Sequence, residues 1–190
     1  PRRATNDASL MDASVIAAMA KWPNVPDCRG WLSLDRRGQW RLQGSALRHA
    51  GLAEFIGRNY ACDETGACFM KNGPQRVWVE LGMTPWIFRL TGAGGIVTHT
   101  AEAAGTIEAA WLIDGEALCL RTTRGFGAVD DRDLLTLLGH FRGADGAPID
   151  EIDDFESLEP LSLHWGAACL PLQRCSNADL ERVGGFRRLP

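Results

Sequence analysis

Apolar residues recur along this chain with two different periods. Val15, Ala18, Met19 and Trp22 fall three or four apart, the spacing of one helical face, with Asp12 near the start, where a carboxylate complements the helix dipole. Pro23 and Pro26 end that helix and lead into extended chain. Gly30–Leu34 and Gln39–Leu42 read as a hairpin that turns through Asp35-Arg36-Arg37-Gly38. Leu52, Phe55 and Ile56 return to helical spacing and predict a helix over 46–59, capped by Ser45. Asn72-Gly73 marks a hairpin between strands at 67–71 and 75–81. In the second of these, Val77, Val79 and Leu81 form a core face, and Arg76, Trp78 and Glu80 form the other. Pro85 limits the strand at 86–90 to beginning at an edge or after a bulge. A further strand is expected at 96–100.

The second stretch repeats this order. Strands at 110–113 and 117–122 pair across Asp114-Gly115. Asp130 or Asp131 caps a helix running to Phe141, with Leu134, Leu135, Leu138 and Phe141 inward. A Gly- and acid-rich loop follows over 142–160. A last hairpin, 161–165 with 168–173, turns at Gly166, and a short helix is expected over 177–183. Trp31-Leu32 before Asp35 answers Trp111-Leu112 before Asp114, and Phe55-Ile56 answers Leu137-Leu138. The expected fold is therefore α+β: two tandem ββαββ-like halves from internal duplication, with mostly antiparallel sheets, one main helix each and an N-terminal helix. The expected division is a flexible extension over 1–10, halves over 11–100 and 109–175 joined by 101–108, and a tail over 176–190. Met11, where the helical pattern begins, is the expected natural start. A groove between two similar halves is where a ligand would sit.

Composition narrows the class. Hydrophobic residues make up 45% of the chain, ordinary for a globular protein. Seven Trp against one Tyr means that several indoles should anchor a core or line a cleft. The net charge is −4 and the arginines (Arg36, Arg58, Arg76, Arg121) are scattered, which argues against nucleic acid as a partner. No apolar run approaches the roughly 20 residues that span a bilayer, so no membrane is expected. Cys68, Cys119 and Cys169 fall in apolar strands, where a free thiol behaves as a small hydrophobe. With no signal peptide seen ahead of them, a reduced cytoplasmic setting is expected.

The run Ala20-Lys21-Trp22-Pro23-Asn24-Val25-Pro26, Cys28 and Gly30, Asn72-Gly73-Pro74-Gln75-Arg76-Val77, Val79 and Thr84-Pro85-Trp86 resembles a proteobacterial family of small proteins of unknown function. The order Cys-x-Gly, strand, Asp-x-x-Gly-x-Trp, strand, Gly-Ser-x-x-Arg, helix is similar to that of a broader uncharacterised bacterial family. The second resemblance implies two tandem α+β domains and a ligand-sensing or signalling role. Neither carries over a catalytic residue. Position 68 is Cys where the resemblance leads one to expect an aromatic, which implies looser packing there.

Candidate chemistry is sparse. Arg76 shares a face with Trp78, and a guanidinium beside an indole can hold a carboxylate or phosphate. Gln75 precedes it, and Arg89 near Trp86 could extend the same surface. A plain surface arginine on a solvated sheet face is the competing account. Arg124-Gly125-Phe126-Gly127 reads as a glycine-rich approach to a helix whose first turn is too acidic for phosphate. No cysteine or histidine spacing matches a metal site, so no metal and no cofactor are expected. Ser45 or Cys28 with His49, and Asp35 as acid, is the alternative reading as a small hydrolase or transferase. The favoured expectation is a non-catalytic cytoplasmic binding or regulatory module. It would take a small anionic ligand or a protein partner, with Gln75, Arg76, Trp78, Trp86 and Arg89 at the site. A pure protein-interaction subunit is a third reading.

Overall fold

The computed structural model describes residues 13–20, 22–92, 94–149 and 160–190. The extension over 1–10, the start at Met11, the Asp12 cap and the acidic positions 150–159 lie outside them. Helix α1 (Ala13–Met19) is followed by β1 (Asp27–Leu34), β2 (Trp40–Leu42), β3 (Ser45–Ala46), helix α2 (Ala50–Arg58), β4 (Tyr60–Cys62), β5 (Cys68–Asn72) and β6 (Gln75–Leu81). These strands form a six-stranded sheet in the order β3-β2-β1-β6-β5-β4, with β1 and β6 parallel at its centre. Next come β7 (Trp86–Leu90), β8 (Ile96–Thr98), β9 (Ile107–Ile113), β10 (Ala117–Thr122), β11 (Gly125–Val129), a 3-10 turn (Asp131–Asp133) and α3 (Leu134–Leu138). The described chain then closes with β12 (Phe141–Arg142), β13 (Ser162–Trp165), β14 (Ala168–Cys175) and α4 (Leu180–Gly184). The second sheet has eight strands, β12-β13-β14-β9-β10-β11-β7-β8, with parallel pairs β14/β9 and β11/β7. The fold is mixed α+β, mostly sheet with few helices, in two sheets.

Several expectations change at this level. Three strands, not two, flank each main helix, because β3, β4 and β12 are too short to show an alternating pattern and β11 is masked by its glycines. Gln43 and Gly44, at φ +47 and +78, form the tight turn that pairs Leu42 with Ser45. Ser45 is thereby drawn into β3, and α2 starts at Ala50 with His49 as its cap: the Leu52 amide donates to His49 Nδ1 at 3.1 Å. Of the 124–127 run only Arg124 is in a turn, and Gly125–Gly127 lie in β11. Gly127 lies so close to β7 that an added Cβ would stand 2.6 Å from the Trp86 carbonyl oxygen and from the Phe88 ring. α3 ends at Leu138. The tighter winding of the 3-10 turn rotates the residues that follow, so Leu137 and Leu138 are buried, Leu135 is 70% exposed, and Phe141 belongs to β12. Strands β7 and β8, placed by a boundary near residue 100 with the first half, are hydrogen-bonded into the second sheet.

Cys68 is not a free thiol. It lies directly opposite Cys62 across the β4–β5 turn and is disulfide-bonded to it. The smaller residue at position 68 is thus occupied by a covalent bond to the neighbouring strand.

The buried residues form one continuous core that runs through both sheets. Trp22, Trp40, Trp78, Trp86 and Trp111 are buried, and Trp31 and Trp165 half-buried, in keeping with anchoring roles. At the seam four rings meet edge to face or tilted: Trp40 and Tyr60 from the first sheet, Trp86 and His99 from the second, at 5.1–5.7 Å. The Tyr60 hydroxyl donates to the Pro85 carbonyl at 2.8 Å. The Ile87 amide donates to His99 Nδ1, which leaves the ring proton on Nε2. That nitrogen is enclosed and meets no hydrogen-bond partner among the described residues. Burial holds the His99 pKa down to about 3, so the ring is neutral.

Residues 176–190 fasten the sheets together. Leu180 and Phe186 are buried, and Phe186 stacks on Phe126, itself against Trp111 of the second sheet. The Arg187 amide then donates to the Gly66 carbonyl, and the Leu81 amide of β6 donates to the Arg188 carbonyl, each at 2.9 Å.

Candidate functional site

The five residues singled out from the sequence divide between the two sheets. Gln75, Arg76 and Trp78 stand on β6, and Trp86 and Arg89 on β7. Each has a local partner. The Gln75 side-chain amide donates to the carbonyls of Pro23 and Val25, which ties the segment after α1 to the β5–β6 hairpin. Arg76 lies over Phe69 at 4.8 Å and, more distantly, over Trp78 at 5.9 Å. Trp78 is buried beneath Arg29 at 4.7 Å, and its indole N–H donates to Asp27. Arg89 donates to the Asp133 carboxylate at 2.7 Å and approaches the buried Asp130 at 3.7 Å. Trp86 belongs to the ring cluster at the seam, with Arg124 over it at 5.0 Å.

The residues of the catalytic alternative stand on three different elements, Cys28 on β1, Ser45 on β3 and His49 at the start of α2. His49 Nδ1 holds the start of α2, Ser45 is exposed in β3, and Cys28 is buried, which pushes its thiol pKa up. Among the hydrogen bonds of the described residues, His49 Nδ1 accepts from the Leu52 amide and none joins Ser45 to Cys28. Among the described residues no cluster of three His, Cys, Asp or Glu side chains could hold a metal ion.

A crevice of about 190 Å³ opens where the first sheet, the second sheet and the 176–190 segment meet. Arg36, Gly82 and Met83 form one wall, Ile113, Asp114, Glu116 and Ala117 another, and Asn177 and Arg188 close it. The chain turns sharply on both sides. The Gly82 amide donates to the Leu34 carbonyl at 2.8 Å, and Asp114 and Gly115 adopt φ of +47 and +74, as a tight hairpin turn requires. Asp114 accepts from the Asn177 amide at 3.0 Å. The Arg188 guanidinium donates to the Met83 carbonyl at 3.3 Å and to Asn177 Oδ1 at 2.6 Å, and Arg36 reaches the Met83 sulfur at 3.9 Å. Among the described residues, neither guanidinium meets a carboxylate within ion-pair distance. Most of the ten or so N–H donors of the pair are therefore left to solvent or a ligand. Both charges also act on the buried Cys119, though less than burial, which takes its pKa up to about 12.

A larger hollow of about 620 Å³ lies between α2 and the 99–101 turn, where the charges are of both signs. Arg37 is paired with Asp131 at 2.8 Å, and Glu54 stands one helical turn before Arg58, so both signs of charge line the hollow. The sequence puts Arg36 in a turn and Arg188 in a tail, and neither position signals the 190 Å³ crevice. Only the 176–190 segment brings them together.

Residues 11–190 match the family described as a protein of unknown function, DUF2946, carried by the family model DUF2944. The chain belongs to this family. No curated protein matches it. Among solved structures, a DUF1285 family protein from Silicibacter pomeroyi DSS-3 is similar at 14% identity and a TM-score of 0.56, over 84% of this chain and 94% of that one. A DUF1285 family protein from Shewanella baltica OS155 is similar at 17% identity and a TM-score of 0.41, over 54% of this chain and 85% of that one. At such identity the likeness of the DUF2946 chain to the first of these is one of fold. The matched family is one of unknown function and the first neighbour belongs to another uncharacterised family, in line with the two resemblances drawn from the sequence.

Proposed function

We propose that this DUF2946 chain is a non-catalytic binding module that takes a small carboxylate- or phosphate-bearing ligand in the crevice between its two sheets. The observation that carries this reading is the pair of guanidiniums, Arg36 and Arg188, without carboxylate partners at the junction of three segments. Guanidinium forks suit planar or tetrahedral oxyanions, and a site half enclosed by protein strengthens such contacts. Asp114 and Glu116 on the facing wall favour a ligand that also carries hydroxyl or ammonium donors. Gln75, Arg76, Trp78, Trp86 and Arg89, first candidates for the ligand, take the supporting part: they hold strands and the α1 segment in place.

The two halves descend, in this proposal, from one duplicated unit. The run β11-β10-β9-β14-β13-β12 has the same neighbour order as β3-β2-β1-β6-β5-β4, with a central parallel pair in each. The added β7–β8 hairpin then goes with the second unit. Among the described residues no helix is long and apolar enough to cross a membrane. A cytoplasmic setting sits uneasily with the Cys62–Cys68 bond, since such bonds persist in oxidising compartments.

Thermal unfolding in the presence of inorganic phosphate and a panel of small carboxylates tests the site. At least one should raise the melting temperature of the wild-type chain and of Arg76→Ala, and fail to do so in Arg36→Ala and Arg188→Ala. Equal shifts in all four proteins, or no shift with any of these compounds, would reject it.

A further inference from the structure

Outside the crevice, one pair of reactive side chains is unexplained by packing. On the β13–β14 hairpin His164 and Cys169 are directly opposed, and Cys169 Sγ lies 3.4 Å from His164 Nε2. Both residues are exposed. Ser162 Oγ approaches the same nitrogen at 3.0 Å. The backbone under His164 is held firmly: its amide donates to the His140 carbonyl at 2.7 Å, and the His140 ring packs on Trp165 at 4.6 Å. Cross-strand pairing thus fixes a thiol against an imidazole on an open strand face.

The other cysteines are in different circumstances. Cys62 and Cys68 are bonded to each other, Cys28 and Cys119 are buried, and Cys175 is half-buried with its pKa raised, chiefly by that burial. The thiolate is the reactive form of cysteine, and a neighbouring imidazole can take its proton. A low-molecular-weight disulfide needs little enclosure to reach such a thiolate.

We propose that Cys169 with His164 is a thiol–disulfide exchange site that forms a mixed disulfide with a low-molecular-weight thiol. The Cys169 proton passes to His164 Nε2, and the thiolate attacks one sulfur of the incoming disulfide. A new S–S bond forms at Cys169, the original S–S bond breaks, and the departing thiolate takes the proton back from Nε2. One protein thiol and one small disulfide become one mixed disulfide and one small thiol. Ser162 competes for the same nitrogen lone pair and moderates the exchange.

Oxidised glutathione is the probe, with peptide mapping by mass spectrometry at fixed pH on the intact chain. Cys169 is expected to be modified before any other cysteine. His164→Gln should slow the reaction about tenfold, less than the roughly hundredfold of an enclosed base, because both partners face water. Ser162→Ala should speed it by up to about fivefold, the worth of one competing hydrogen bond. Modification of Cys175 ahead of Cys169, or an unchanged rate in His164→Gln, would overturn the assignment. Should His164→Gln fail to fold, Ser162→Ala decides: an unchanged or lower rate there sinks it.

Discussion

The two sheets share a strand order and spend it differently. In the first, the short β3 ends the sheet, a nine-residue α2 with a side-chain cap covers the core face, and a disulfide closes the β4–β5 turn. In the second, α3 is five residues long and has no side-chain cap, residues 143–161 separate β12 from β13, and β7 and β8 extend the sheet beyond β11. Where helix and covalent bond supply order in one, added strands supply it in the other. The consequence is that the second sheet reaches the seam with Trp86 and His99, and the first meets it with Trp40 and Tyr60.

The largest effect should come from that seam. His99 has a folded pKa near 3 against an ordinary value of 6.5. Below 6.5 the unfolded chain therefore binds a proton that the folded chain refuses. Stability is fully present above that pH and falls by up to roughly 1.4 kcal/mol per pH unit as the medium is acidified toward 3. Urea midpoints between pH 7 and pH 4 will read this, and His99→Phe should flatten the curve. An equally steep curve in the variant would place the acid response within one of the sheets.

Gly127→Ala sharpens the contrast from the second sheet. The added methyl group meets the Trp86 carbonyl and the Phe88 ring, so β7 must shift from β11, at about 3 kcal/mol in chemical denaturation. A loss below about 1 kcal/mol would mean that the β7–β8 extension is loosely held. From the first sheet, reduction of Cys62–Cys68 should lower stability by about 2 kcal/mol, the modest gain of closing a short loop. Dithiothreitol should then leave Cys62→Ala unchanged.

Much of this frame was legible in residue order. The strand at 86–90 has the bounds that Pro85 and the following polar residues suggest, but it is an inner strand between β11 and β8 and not at an edge. Its pairing with β11 starts at Trp86, so the N–H that Pro85 lacks falls outside the ladder. The β5–β6 hairpin falls at Asn72-Gly73, although the two turn residues are Gly73 and Pro74, since Asn72 pairs with Gln75. Local signals failed where a neighbour in space decides. Nothing near Ser45 announces that Gln43 adopts a positive φ, and that single conformation moved the helix cap from Ser45 to His49. Gly125 and Gly127 resembled loop residues because the reason for a missing side chain is the approach of β7, a strand almost forty residues earlier. The outer face of β6 was legible as Arg76 and Trp78, but the partners that occupy it, Arg29, Asp27 and Phe69, lie on other strands. The crevice was invisible for the same reason: its arginines stand at opposite ends of the described chain.

The segment 176–190 has a consequence for the order in which this molecule is made. A ribosome releases both sheets before it releases the residues that bond Gly66 and Leu81 to the far side of the seam. A nascent chain halted near residue 175 would hold every described strand and yet lack Arg188 and the stacking of Phe186. The crevice therefore waits for a segment that leaves the ribosome after both sheets, and until then the proposed anion site has Arg36 without Arg188.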